Sequence, residues 1–241
     1  MFSIISTCKN RLSHLTQTLP SFLHQFNSSF QFRQDYEVII VDYGCPEKTY
    51  SKVLQLNQKF KFPNLKVILV QSNTEEWNPG RARNIGANQA TQSYLFFVDA
   101  DMILQPSVLL TLEKIIKKIN PVIIKKNIYK GTKDKNGTCV IRRKEFHEVK
   151  GYNEKGIGYC YEDIDIYNRL EKYRKNYIYK ETEIKIQPIH HGWELRNKFN
   201  KIKDFDKNIE TYYSTMCKEQ NNVNPNGYGQ GKLRIFSNLS L

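Results

Sequence analysis

No stretch of this chain is apolar for long enough to cross a membrane: the longest runs, around residues 37–41 and 94–98, are bounded by polar residues and fall far short of the ~20 residues a spanning helix needs. Cysteine is sparse. Cys8, Cys45, Cys139, Cys160 and Cys217 are odd in number, widely scattered and never in a Cys-x-x-Cys pair, which argues against a disulfide framework or a zinc cluster and predicts free thiols in a reducing compartment. The first residues lack a basic segment followed by a long apolar one, so residues 3–7 read as a first strand and not as a signal peptide, with a cytoplasmic address expected. Low-complexity tracts and internal repeats are absent. So are zinc-finger spacing, an RNP-type aromatic motif and a concentrated basic helix, the usual marks of a nucleic-acid binder. Acidic residues are in deficit as well: 24 Asp and Glu face 37 Lys and Arg, for a formal net charge of +13. Such a chain attracts anionic surfaces, whether nucleic acid, acidic headgroups or an anionic acceptor, although a solvated charged face is the plainer account of scattered lysines.

What is present points to one sizeable core. The chain has 241 residues, 39% of them hydrophobic, enough for one domain with a C-terminal appendage. Short β-rich runs alternate with helical patterns in the first half: residues 3–7, then Leu12, Leu15, Leu19 and Leu23 at helical spacing, then 37–41 ending in Asp42-Tyr43-Gly44, then 65–70, a helical stretch over 80–90, and 94–98. That order predicts an α/β fold with a mostly parallel sheet. The strands show little internal alternation, as expected where helices cover both faces. In such sheets ligands bind beyond the carboxyl ends of the strands, so residues 7–11, Asp42, the segment before Arg81 and residues 99–101 should converge there. After a helix near 107–119, two β-prone pieces at 122–129 and 138–142 flank the turn-forming residues 131–137 and read as an added hairpin. Residues 161–173 read as a helix and 184–189 as a last strand running into His190-His191-Gly192. Beyond Trp193 the chain is polar, with a possible helix over 203–216 and a Gly/Asn-rich stretch at 221–231.

Three groups of residues carry candidate chemistry. Asp99 and Asp101 follow Leu95-Phe96-Phe97-Val98 with only Ala100 between them. Two carboxylates at the mouth of a sheet suit a hard divalent cation, Mg²⁺ or Mn²⁺, that takes further oxygens from phosphates and acts as a Lewis acid on a departing nucleoside diphosphate. Glu162 and Asp163 open a helix, where they are either a capping pair favoured by the dipole or a general base. His190 and His191 are either a surface turn before Gly192 or the source of an imidazole ligand, which would favour Mn²⁺ over Mg²⁺.

Taken in order, Ser3-Ile4-Ile5-Ser6-Thr7-Cys8-Lys9-Asn10-Arg11, Val41-Asp42, Gly80-Arg81-Ala82-Arg83-Asn84-Ile85-Gly86 and Phe97-Val98-Asp99-Ala100-Asp101 resemble successive landmarks of family 2 inverting glycosyltransferases of the GT-A fold. Gly158-Tyr159-Cys160-Tyr161-Glu162-Asp163-Ile164-Asp165 is similar to the Glu-Asp-x-Asp segment of β-1,4-galactosyltransferases and of chondroitin-type polymerase domains, with tyrosines where Trp or Gly is expected. The resemblance covers residues 1 to about 195. It implies a glycosyltransferase domain over 1–195, with a nucleotide-sugar half at 1–105 and an acceptor and catalytic half at 106–195, followed by a helical or irregular tail at 196–241. It also implies roles. Thr7 and Arg11 would lie along the nucleobase and ribose, and Asp42 would accept hydrogen bonds from a uridine-type donor. Arg81, Arg83 and Asn84 would sit near the diphosphate or base, with a salt bridge from Arg81 to Glu75 or Glu76 as the alternative. Asp99 would touch ribose or metal, Asp101 would be the principal metal ligand, and His190 or His191 the third. Asp163 would be the general base, Glu162 would orient the acceptor, and Asp165 would be structural. The implied reaction moves a sugar, of galactose or N-acetylhexosamine type, from a UDP-sugar to a hydroxyl of a glycan, glycolipid or other acceptor with Mn²⁺ or Mg²⁺. Independently of the resemblance, the charge of the lysine-rich hairpin suits docking to an acidic membrane at its inner face or to an anionic acceptor. Alternatives are a retaining GT-A transferase, a basic module binding nucleic acid or anionic glycan, and a sugar-phosphate nucleotidyltransferase, which expects a Gly-rich loop where Cys8-Lys9-Asn10-Arg11 has none.

Overall fold

A computed structural model describes residues 1–26, 28–29, 31–71, 76–126, 137–158, 161–173, 178–181, 184–190 and 222–237. The first half runs β1 (Phe2–Cys8), α1 (Leu12–Leu23), β2 (Glu37–Asp42), α2 (Thr49–Phe60), β3 (Leu65–Val70), α3 (Pro79–Asn88) and β4 (Tyr94–Phe97). The second half adds β5 (Met102–Leu104), α4 (Val108–Ile119), β6 (Ile123–Lys126), β7 (Cys139–Arg142), α5 (Arg143–Glu148), α6 (Glu162–Tyr173), β8 (Ile178–Glu181), β9 (Ile186–Pro188) and β10 (Leu233–Ser237). Eight strands form one sheet in the order β10-β3-β2-β1-β4-β7-β6-β8, and β5 pairs with β9 apart from it. β1 is parallel to both β2 and β4, and β2 to β3. The hairpin partner β7 runs antiparallel to β4 and β6. Strand order therefore grows in opposite directions from β1, and the crevice at the carboxyl ends of β1 and β4 is the switch point where such sheets bind ligands.

The lack of alternation in the strands follows from burial on both faces. In β2, Val38 and Ile40 join a core with Leu15, Leu19, Phe22, Val53, Leu109 and Leu112. The intervening Ile39 and Val41 join a second core with Ile85, Phe146, Ile166 and Leu170. Successive side chains of a strand point to opposite faces, so a strand sandwiched between helices must be apolar throughout. On α4 the buried stripe Leu109, Leu112, Ile115 and Ile116 leaves Lys114, Lys117 and Lys118 exposed, which accounts for part of the positive charge as an ordinary solvated helix face.

α3 is the element that positions the site. Asn78 caps it, its Oδ1 accepting the Arg81 amide at 2.8 Å, and Pro79 fills the first turn, where a missing N–H is no loss. Gly86 lets the helix lie directly on β1, since a Cβ there would stand 2.5 Å from Ile5 Cγ2.

The mixed α/β architecture and the added hairpin match the expectation, and three features depart from it. The tail beyond 195 was expected to be helical or irregular, yet residues 233–237 form β10 and pair antiparallel with β3 as the edge of the same sheet. The strand expected at 184–189 is shorter and pairs with β5 outside the main sheet. β8 joins β6 in parallel register, an addition with no apolar run to announce it. The possible helix at 203–216 lies outside the described residues. No described helix is long and apolar enough to cross a membrane. Of the hairpin lysines, Lys125 lies over the Tyr167 ring, 4.1 Å from its centroid, and residues 127–136 lie outside the described set. Cys8, Cys45 and Cys139 are buried free thiols.

Candidate active site

Three segments meet at the carboxyl end of β4: the Asp99-Ala100-Asp101 turn, α3 and the start of α6. Arg83 joins them. Its Nη2 donates to Asp99 Oδ1 at 2.9 Å and its Nη1 to Glu162 Oε1 at 2.5 Å, while the guanidinium lies 5.3 Å from the centroid of the Tyr152 ring. A planar fork with separate donors suits two carboxylates at once. Burial works against the charged guanidinium, and the carboxylates of Glu162 and Asp99 more than offset it, raising its pKa well above the ordinary value. Gly137, on the hairpin, closes over this pair: a Cβ there would stand 2.5 Å from Arg83 Nη2 and 2.6 Å from Asp99 Oδ2. The Thr138 hydroxyl lies 3.5 Å from Asp99 Oδ2.

Beside Glu162, Asp163 is buried in the first turn of α6, its Oδ1 accepting the Ile164 amide at 2.8 Å. Burial, with the neighbouring Glu162 charge, pushes its pKa up to about 7 against the opposing pull of Arg83. A carboxylate poised there is matched to taking a proton at neutral pH. Asp165, two positions on, is held by Arg169 at 2.6 Å, and Arg169 also donates to the Val149 carbonyl.

Asp101 lies one residue from the β5–β9 pair. The Ile189 amide donates to the Asp101 carbonyl at 2.7 Å, so the chain leading into His190 runs alongside the acidic turn. His190 is exposed, and His191 lies outside the described residues. Among the described residues no group of three His, Cys, Asp or Glu side chains is gathered as a preformed metal cage. The donor set is nevertheless of the right kind for a cation that takes several oxygens from water and substrate phosphates: two carboxylates, one of them shared with Arg83, beside an imidazole-bearing strand end.

The remaining expected residues divide. Thr7, half-buried, is the last residue but one of β1, and Arg11 stands at the N-cap of α1, its carbonyl accepting the Leu15 amide at 2.9 Å and its Nη1 donating to the Asn10 carbonyl. Arg81 donates through Nε and Nη2 to the Gln230 carbonyl at 3.2 and 2.6 Å, so its partner is the C-terminal segment; residues 72–75, which include Glu75, lie outside the described set. Asp42 and Asn84 are both buried. Asp42 accepts the amides of Cys45 and Tyr50, each at 2.8 Å, one on each oxygen, and so shapes the loop after β2. Burial raises its pKa, with those amides and Lys9 opposing. Asn84 exchanges two hydrogen bonds with the Tyr152 backbone and donates to Glu154 Oε1, so it clamps the segment after α5.

Sequence reasoning missed an aromatic corner beside the end of β2. Tyr43 and Trp77 pack edge to face with centroids 5.4 Å apart, and Lys9 sits 5.6 Å from the Tyr43 centroid. It also missed Gly137, read only as a turn former. The signal for the corner was available, since Tyr43 follows the strand-ending Asp42 and aromatics at strand ends commonly line ligand sites.

Comparison with known proteins places the chain in a family. The glycosyl transferase family 2 profile matches residues 3–217, and the chain belongs to that family. Over 101 residues it is 32% identical to poly(ribitol-phosphate) beta-N-acetylglucosaminyltransferase TarS of Staphylococcus aureus, strains Mu50 and MW2; the match takes in 42% of this chain and spans only 16% of the relative's length. The fold is similar to that of S. aureus TarS 1-349 in complex with UDP-GlcNAc, with a TM-score of 0.68 at 19% identity, covering 92% of this chain and 67% of that one. It is also similar to the mannosyltransferase PcManGT from Pyrobaculum calidifontis in complex with GDP-Man and Mn²⁺, with a TM-score of 0.66 at 12% identity, covering 91% and 70%. These likenesses establish the GT-A architecture.

Proposed function

We propose that this chain transfers a sugar from a UDP-sugar to a hydroxyl of a glycan or glycolipid acceptor with inversion at the anomeric carbon, and that Asp163 is the general base. The observation that carries the reading is the Arg83 bridge, which fixes the Asp99 carboxylate to the Glu162 carboxylate and so sets the base at a fixed place against the acidic turn. An inverting displacement needs this relation: the diphosphate leaves from one face of the sugar while the acceptor oxygen arrives at the other, losing its proton to a nearby carboxylate. In the proposed roles, Asp163 takes that proton, Glu162 orients the acceptor hydroxyl, and Arg83 keeps both carboxylates in place without itself moving a proton. Thr7, Arg11 and the Tyr43–Trp77 corner line the nucleotide side.

The acidic turn fits a divalent cation. Asp101 with Asp99 and one of His190 and His191 would hold it, and Mn²⁺ or Mg²⁺ bound there would stabilise the negative charge of the departing diphosphate. A uridine nucleotide and an N-acetylhexosamine are favoured by the matched relative, whose name specifies a β-N-acetylglucosaminyl product, and by the UDP-GlcNAc complex among the similar folds. A donor-hydrolysis screen across UDP-, GDP- and dTDP-sugars with Mn²⁺ tests the donor class. Turnover confined to UDP-sugars is expected, and turnover confined to GDP- or dTDP-sugars would overturn the assignment.

A further inference from the structure

Residues 222–231, which precede β10, lie against α3 and the turn at 150–154 and are tied to both. The Asn224 side chain donates to the carbonyls of Lys150 and Tyr152 at 2.8 and 2.7 Å and accepts the Glu154 amide at 3.2 Å. The Gly229 amide donates to Glu154 Oε1 at 2.6 Å, the same oxygen that accepts Asn84 Nδ2. From α3, Asn88 donates to the Tyr228 carbonyl and Arg81 to that of Gln230. Gly229 makes this approach possible: at φ +63° a Cβ would stand 2.5 Å from Asn88 Nδ2 and 2.8 Å from the Asn84 carbonyl oxygen. Only a residue without a side chain fits there.

Tyr152 carries these ties to Arg83. Its amide donates to Asn84 Oδ1 and its carbonyl accepts both Asn84 and Asn224, so both of its backbone polar groups are fixed. Its buried ring packs edge to face on Phe97, with centroids 5.3 Å apart, and against Phe146 at 5.8 Å. Backbone and packing together hold the ring in one place, and its face is the surface on which the Arg83 guanidinium rests. The negative face of an aromatic ring attracts such a cation. Asp99 and Glu162 grip only the tip of a long side chain rich in rotamers, and the ring limits where that tip can sit. The Glu154 carboxylate, gripped by Gly229, also steadies Asn84, the neighbour of Arg83 on α3.

We propose that Asn224 is a positioning residue for sugar transfer, which through Tyr152 holds Arg83 in its bridge between Asp99 and Glu162. Asn224 touches none of the reacting groups. Without its side chain the Lys150 carbonyl and the Glu154 amide lose their Asn224 partner, the Tyr152 carbonyl keeps Asn84 alone, and the ring under Arg83 loosens. On the reading of Asp163 as the base, on which the kinetic consequence rests, the carboxylates that Arg83 joins then drift apart and transfer slows, while donor binding, made by other residues, holds.

The test follows the Arg83 side-chain N–H resonance by proton–nitrogen NMR of the full chain, identified by its loss in Arg83→Lys. The Tyr152 ring current displaces this signal in the wild type; in Asn224→Ala it should move toward the position of an exposed arginine. Asn224→Ser, which can keep one donation, should give a smaller shift and serves where the alanine chain does not fold. Tyr228→Phe releases His147 Nδ1, 2.6 Å away, but keeps both ties to the 150–154 turn, so it should lower Tm and leave the signal in place. An unmoved Arg83 signal in folded Asn224→Ala, or an equal movement in Tyr228→Phe, would overturn the proposal whether or not UDP-sugar turnover is found. The link to transfer is read separately: kcat should fall by up to about 10²-fold in Asn224→Ala with donor KM little changed, the pattern of a contact that matters only in the transition state. A moved signal with wild-type kcat would overturn that link. Wild-type kcat in Asp163→Asn would instead sink the base reading and leave the contact standing.

Discussion

Replacing Arg83 by methionine would leave Asp99, Glu162 and Asp163 crowded together with no counter-charge. The Arg83 and Glu162 side chains are 8% and 11% exposed, and Asp99 is 27% exposed, so solvent screens the loss only in part. Removing one partner of a buried ion pair costs about 3–5 kcal/mol. For a chain of this length each kcal/mol lowers Tm by about 2–4 °C, so calorimetry or thermal CD should record a fall of roughly 10 °C. The variant carries a second signature that a purely structural loss would not. Arg83 lowers the pKa of Asp163 against burial and Glu162, and an opposite charge at short range is worth roughly 1–3 units. Without it the acid limb of the kcat profile, expected in the wild type near pH 7, should move upward by on the order of one unit. Arg83→Lys keeps the charge but not the fork, so it should restore part of the pH profile and less of the stability. A methionine variant with wild-type Tm and an unmoved acid limb would refute the view that Arg83 couples the acidic turn to the base.

Other consequences are simpler. Asp163→Asn should lower kcat by about 10²–10⁴ with donor KM little changed, and wild-type activity should fall as pH drops through about 7, because the base is then protonated; both are read from steady-state kinetics. Asp101→Ala should abolish Mn²⁺-dependent UDP binding in calorimetric titration while leaving the fold intact by CD. Gly137→Ala would force a Cβ to 2.5 Å from Arg83 Nη2 and 2.6 Å from Asp99 Oδ2; displacing that pair should cost up to roughly 10²-fold in kcat with a smaller effect on Tm. Gly86→Ala would press on Ile5 Cγ2 at 2.5 Å and should instead destabilise by about 1–3 kcal/mol, seen as a lower urea midpoint.

The parallel half of the fold was legible because its strands are buried on both faces, and a short unbroken apolar run that stops at a polar cluster suits little besides a strand covered by helices. The same runs placed Asp99 and Asp101 at a sheet mouth. Partnership was harder to read. Arg83 and Glu162 are separated by 79 positions, and nothing in either segment states that α3 turns that arginine toward α6. The loop bonds of Asp42 were hidden for a related reason: a carboxylate at a strand end looks alike in sequence whether or not it accepts two amides of its own loop. β10 was hidden because it is an edge strand in a Gly/Asn-rich neighbourhood with only partial burial, so it lacks both the apolar run of a central strand and a clean alternation.

The central claim, inversion driven by Asp163, is tested most directly by proton NMR of the sugar first released to water from an α-linked UDP-N-acetylhexosamine, before the anomers equilibrate. Water then stands in for the acceptor hydroxyl at the same base. The account predicts that the β anomer appears first and that Asp163→Asn nearly stops its release; the α anomer appearing first, or release at the wild-type rate from the variant, would contradict it.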